Sequence, residues 1–203
     1  EDLVKQITDR VKVEPESEYK LIGVKWYGEG TFHRETVTGK EISATYLTPV
    51  KAGAFIYNRL FAWKTSFAVV PKEHDGYFVS GEFPQFLLDE SRVLPEFLYL
   101  LFRLDRTIKL VTSTSSGSAA VSRNRFKENE FSKFDVALPP IETQRVIVSR
   151  WHEAQRVIIQ AEEKIAEVEK KIEKQFFADL GLKATSRAQN LKVFNAYWKD
   201  FER

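Results

Sequence analysis

At 203 residues, 43% hydrophobic and 13% aromatic with 16 Phe, the chain suits one domain of about 140 residues plus an appendage, or two small domains; extended disorder is excluded. A net charge of +2 excludes a uniformly basic nucleic-acid binder, so any such binding must come from a local patch, and the lack of Cys excludes disulfides, thiolate metal sites and cysteine nucleophiles. No apolar run approaches the ~18 residues of a membrane helix and no signal-peptide pattern opens the chain, so a cytoplasmic location without membrane contact is expected.

Leu3, Val4, Ile7 and Val11 stand at helical spacing, which predicts a short N-terminal helix or an extended arm ended by Pro15. Lys20 to Trp26 reads as a strand, followed by a loop carrying Gly28 and Gly30. Thr31 to Val37 is a second strand, and Thr38-Gly39 turns into a third over Lys40–Thr48. Ala54 to Tyr57 is a buried strand by its apolar continuity. Asn58 to Lys64 breaks that pattern, and Ser66 to Val70 resumes it. Asp75-Gly76 predicts a hairpin between Val69-Val70 and Tyr77–Val79, with Glu82 to Leu88 extending the sheet. Pro95 opens a helix running toward Leu104. The stretch Thr112 to Ser118 reads as a loop without core pattern, and Phe131 to Leu138 as a last strand closed by Pro139 and Pro140.

Between Ile141 and Leu180 there is neither Gly nor Pro, and Gly181 offers a left-handed stop. Ile147, Trp151, Ala154, Ile158, Ala161, Ile165, Val168, Ile172 and Gln175 alternate four-three spacings, a heptad seam flanked by Glu, Lys and Arg. A helix from about Glu142 to Phe177 is expected to present Ile147, Trp151, Ile158, Ile165, Val168 and Ile172 to a partner helix. The expected organisation is α+β, with a mixed-sheet domain over residues 1–140, a long coiled-coil-type spacer helix over 141–180, and a linker leading to new structure over 181–203. The absence of Met, even at the first position, points to a processed or excised segment or to replaced methionines.

Catalytic patterns are lacking. His33, His74 and His152 have no metal-ligand spacing. Ser115, Ser116 and Ser118 form no nucleophile elbow, and Gly28 and Gly30 lack the third glycine of a dinucleotide loop. Leu138 stands before Pro139-Pro140 where an amine-methylating site would need Asn or Asp to hold the target. Glu82, Asp89 and Glu90 form no recognisable divalent-ion pattern.

Binding is better supported, because cations and planar side chains collect where the core pattern fails. In Asn58 to Lys64, Asn58 suits an adenine edge, Arg59 a guanine edge and Lys64 a phosphate. Trp63 and Phe61 also suit a core, and Arg59 equally suits an ion pair with Glu82. The hydroxyl-rich stretch containing Ser116, running into Arg123, Arg125 and Lys127, suits a phosphate backbone. Lys25, Tyr27, His33 and Arg34 around the glycine loop make a third cluster.

These stretches together resemble a target-recognition half of the DNA-specificity subunit of type I restriction–modification enzymes. The resemblance lies in Tyr19 to Val24 with Gly28 and Gly30, Phe55 to Leu60, Ser66 to Val70, Asp75-Gly76, and Val79 to Pro84. Its most specific part is Leu138 to Ile147, similar to the family's Leu-Pro-Pro-Leu-x-Glu-Gln-x-x-Ile entry to a spacer helix, with Thr143 in place of the usual first Glu. It covers residues 15 to 180. Asn195 to Glu202 is similar to the lead-in of a second recognition domain, which points to a chain cut after its first half.

The resemblance implies a non-catalytic role in reading one half of a split site in double-stranded DNA. Partner methyltransferase (modification) subunits would hold S-adenosylmethionine, a restriction subunit would carry the motor and nuclease, and this chain would hold no cofactor or metal. An unpaired heptad stripe also fits a homodimer through the long helix. Arg59 and Lys64 are then expected to set base choice, and Arg123 to support affinity for any sequence. A different class of protein, an adaptor that recognises a polypeptide and dimerises through its helix, shares the heptad but needs no cationic face.

Overall fold

The computed structural model describes residues 3–115 and 125–181. The chain divides into two units, Glu1–Trp151 and His152–Arg203. The first is α+β, with nine strands in two sheets among the described residues.

The first sheet is antiparallel, in the order β1 (Val4–Gln6), β9 (Gln85–Leu88), β6 (Phe55–Tyr57) and β7 (Phe67–Val69). Its central strand β6 is apolar throughout because both faces are covered. Phe55, Tyr57, Phe67 and Phe86 enter one core with α1 (Pro95–Leu101), α2 (Asp105–Thr114), α3 (Glu128–Ser132) and the opening of α4 (Ile141–Asp179). Ile56 and Ala68 enter a second core with Ile7, Ile22, Val24 and Val79. That second core lies against a mixed sheet ordered β2 (Val11–Lys12), β5 (Tyr46–Pro49), β8 (Phe78–Val79), β3 (Glu18–Val24) and β4 (Thr31–Thr38). Here β3 and β8 are parallel, and a register shift interrupts the β3–β4 pairing between Leu21 and Ile22.

The structure corrects several expectations. Of the helix or extended arm expected at the N-terminus, the extended form is present, as strands β1 and β2, one in each sheet. Asp75-Gly76 does not close a hairpin. Pro71 ends the ladder after β7, a 3-10 turn covers Lys72–His74, and the chain crosses to the other sheet, where β8 pairs with β3 and β5. The predicted strand over Lys40–Thr48 shrinks to β5, because Gly39–Glu41 is a 3-10 turn held by a Thr38–Glu41 capping box. The predicted loop from Thr112 begins inside α2, where Thr112, Thr114 and Ser115 return their hydroxyls to the carbonyls of Ile108, Leu110 and Val111. No strand forms over Phe131 to Leu138. Glu128 and Glu130 instead start α3 favourably, and Phe131 and Phe134, three apart, both reach the first core.

The first unit includes the opening of α4. Gln144 is fully buried there, and Val148 and Trp151 pack against the first core. Trp151, expected on a partner seam, sits edge-on to Tyr99 with ring centroids 5.8 Å apart, so it serves its own domain. In the second unit the described residues are helical from His152 to Asp179, and Ile158, Ile165, Val168 and Ile172 are all exposed, Ile172 at 63%. Residues 182–203, including the resemblance to a second recognition domain, lie outside the described residues, as do Ser116 and Arg123. Among the described residues, no helix is long and apolar enough to cross a membrane.

Candidate nucleic-acid interface

The glycine loop is held open at the surface by bonds from below. After β3 the chain makes a 3-10 turn over Trp26–Gly28 in which Tyr27 adopts φ 58° and Gly28 φ 63°. For a tyrosine this left-handed conformation costs roughly 1–2 kcal/mol. The Gly28 N–H donates to the Thr65 carbonyl at 2.8 Å, and the Tyr99 hydroxyl donates to the Gly28 carbonyl. Arg103 in turn donates to the Tyr99 hydroxyl at 3.3 Å. Tyr27 is thereby kept 64% exposed.

The segment between β6 and β7 folds beside it. Asn58 is buried, and its Oδ1 accepts the Leu60 N–H at 3.0 Å, so its amide shapes the turn instead of standing ready for a bidentate adenine contact. Phe61 and Trp63 are half-buried rather than core. Phe61 packs on Trp26 at 5.3 Å, and the Lys64 ammonium lies 3.6 Å above the Trp26 ring and 5.1 Å from Trp63.

The fold thus brings Lys25, Tyr27, Arg34 and Asn58, from three separate segments, to one open groove of about 570 Å³ walled by Trp26, Phe32, Phe61 and Phe83. Its aromatic walls suit deoxyribose and the thymine methyls at base edges, and its cations suit phosphates. Arg34 is exposed and pairs with Glu35 at 3.0 Å. The walls Phe32 and Phe83 were missed in the sequence; Phe32, an aromatic at a surface position of β4, was the available signal.

A second cluster borders the groove. Arg59 is committed to Glu128 at 3.1 Å with only 21% of its side chain exposed, so its guanidinium is neither free for a base edge nor paired with Glu82. Glu82 instead takes Arg125, with Nε and Nη2 donating to Oε2 and Oε1 at 3.2 Å each. Backbone bonds join the segments of this cluster: Arg59 N–H to Glu82 carbonyl at 3.0 Å, and Phe126 N–H to Arg59 carbonyl at 3.1 Å. Lys127 is exposed just before α3. Glu82 was legible in the sequence as an ion-pair partner, but for Arg59 and not for Arg125, and Glu128 was not legible as a partner at all.

Beneath these pairs, the Tyr57 hydroxyl is buried and hydrogen-bonds to nothing among the described residues. Burial, reinforced by Glu128, pushes its ionisation far above the ordinary tyrosine range. Tyr57→Phe, which keeps the ring and removes an unpaired hydroxyl, is expected to leave stability unchanged or raise it by up to about 1 kcal/mol in urea denaturation. Among the described residues, no group of three His, Asp or Glu is placed to hold a metal ion.

Comparison with known proteins agrees with this architecture. The chain matches the HsdS subunit from Thermoanaerobacter tengcongensis with a TM-score of 0.62 at 17% identity, over 93% of this chain and 51% of that one. A chain from a structural account of complex assembly and conformational transition of the type I R-M system matches with a TM-score of 0.60 at 20% identity, over 87% of this chain and 46% of that one. The chain therefore spans about half the length of these solved relatives. A search of curated proteins gives no significant match. The profile of the type I restriction modification DNA specificity domain, a specificity module rather than a catalytic one, matches residues 13–170. With a match over more than half of its length, the chain belongs to the type I restriction modification DNA specificity domain family.

Proposed function

We propose that this chain reads one half of a bipartite site in double-stranded DNA for a type I restriction–modification complex and docks its methyltransferase subunits. The observation that carries this reading is the groove, where an aromatic wall and the cations Lys25 and Arg34 come together beside Lys64 in a chain of this family. Phosphate contacts would come from Lys25, Arg34, Arg125 and Lys127, while Tyr27 and the groove walls face the bases. Arg59 acts by holding the groove's rim through Glu128. Methyl transfer from S-adenosylmethionine belongs to the modification subunits, and cleavage to the restriction subunit. The exposed Ile158, Ile165, Val168 and Ile172, with Ile147 earlier in α4, offer a seam to a second helix, from the rest of the subunit or from a second copy of the chain.

The test is selection of oligonucleotides bound by the chain assembled with its modification subunits. A defined half-site is expected. Lys64→Ala, which frees Trp26, is expected to lose about 1–3 kcal/mol of discrimination at one or two positions. A selected pool without consensus sinks the reading.

A further inference from the structure

We propose that Glu82 is a latch on Arg125: its carboxylate occupies the guanidinium where a DNA phosphate would, and only a well-seated duplex displaces it. This rests on the DNA-reading function proposed above and adds to it a residue that determines specificity by withholding a contact.

The geometry is that of a stand-in. Arg125 grips both carboxylate oxygens of Glu82 with its Nε and Nη2, the same two-pronged arrangement with which arginine holds a phosphate. The pair is open to solvent, with 40% and 36% of the two side chains exposed. The neighbouring Arg59–Glu128 pair is closed, at 21% and 25%. The closed pair holds the structure together and the open pair can be exchanged.

The latch also sits on the elements that build the groove. Glu82 precedes Phe83, which walls it, and its carbonyl receives the N–H of Arg59, which follows the groove residue Asn58. A duplex engaged in the groove therefore brings its backbone to Arg125 in a fixed register.

The energetics favour discrimination. An exposed ion pair contributes only about 0–1 kcal/mol, so a phosphate held in register displaces Glu82 at small cost. A duplex that lacks the base contacts is held almost wholly by charge and slides, so its phosphates do not stay where they could compete. Glu82 thus removes one cation from non-specific binding and almost none from specific binding.

The experiment measures binding of the chain, assembled with its modification subunits, to its selected duplex and to an unrelated duplex across a salt series. Glu82→Gln is expected to tighten the unrelated duplex about tenfold and steepen its salt dependence by about one released ion, while tightening the selected duplex no more than about threefold. Glu90→Gln, the same charge change at an exposed carboxylate outside the groove and the ion pairs, is expected to stay within about twofold for both. In Glu82→Gln/Arg125→Gln the gain is expected to vanish.

An unchanged or weakened unrelated duplex with Glu82→Gln overturns the latch, as does an equal gain with Glu90→Gln or a gain that survives loss of Arg125. If Glu82→Gln fails to fold by circular dichroism, Glu82→Asp, whose shorter side chain slackens the grip, carries the same expectation at about threefold. Wild-type assembly that binds no duplex overturns the DNA-reading function and the latch together. Wild-type binding with an inert Glu82 overturns the latch alone.

Discussion

Gln144→Ala is expected to cost about 3 kcal/mol and to lower the melting midpoint by about 10 °C. The side chain is fully buried and uses both ends of its amide. Oε1 accepts the Leu94 N–H at 2.9 Å, and Nε2 donates to the carbonyls of Arg92 at 2.8 Å and Pro139 at 2.9 Å. One side chain thereby ties the first turn of α4 to the turn before α1 and to the double proline. Alanine would leave three backbone groups without those partners at a buried position and open a cavity. Gln144→Glu is expected to do no better, since a carboxylate would face two carbonyls it cannot bond. Thermal unfolding followed by circular dichroism checks both, and a drop under about 3 °C for alanine would refute the clamp.

The same residue marks what could be read from sequence and what could not. Gln144 belongs to the motif that carried the family resemblance, yet nothing local announces that it is buried, because its partners lie about fifty positions earlier at Arg92 and Leu94. Elements whose pattern is local were legible. The continuous apolar run of β6 reflects a strand covered on both faces, and the heptad from Ile147 onward reflects one unbroken helix. Elements that depend on distant packing were not. In α2 the hydroxyl-rich Thr112 to Thr114 are poor helix formers, held there by burial of Thr107 and Val111 on one face. The turn at Gly76 has hairpin chemistry, but pairing β8 with β3 and β5 is decided by the second core.

The candidate site divides the same way. Its loops were visible because their polar and aromatic residues interrupt strands. Four of the flagged side chains, Lys25, Tyr27, Arg34 and Asn58, line one groove. The roles of the arginines were not visible. Arg59 had Glu82 as its candidate partner, yet the crossing of the 125–128 segment over the Asn58–Arg59 turn gives Arg59 to Glu128 and leaves Glu82 for Arg125. Charge pairing between segments follows the fold, not sequence distance.

Phe131→Ala is expected to destabilise the first unit by about 3–5 kcal/mol, the upper range for a single core truncation. The ring lies nearly parallel to Phe55 at 5.5 Å, meets Phe86 at 4.4 Å, and is within 5.6 Å of both Tyr57 and Phe102. Its loss therefore removes contacts with three aromatic rings on β6 and β9 and with Phe102, which caps α1, at once. An open cavity of about 400 Å³, lined by Leu98, Phe102 and Phe134, already adjoins the ring, so the space left would merge with it instead of closing. The consequence reaches the interface, because α3 is only five residues long and Phe131 is its one buried side chain. Without that plug, α3 would lose the hold that keeps Glu128 on Arg59, and with it the rim of the groove. Phe131→Leu, which restores most of the volume but not the stacking, is expected to recover more than half of the stability, to within about 1–2 kcal/mol of wild type. Urea unfolding ranks the two variants, and duplex binding measured at a temperature where both stay folded separates the effects. Phe131→Ala should then lose discrimination between selected and unrelated duplex while Phe131→Leu keeps it; equal discrimination in both would show that α3 does not support the groove.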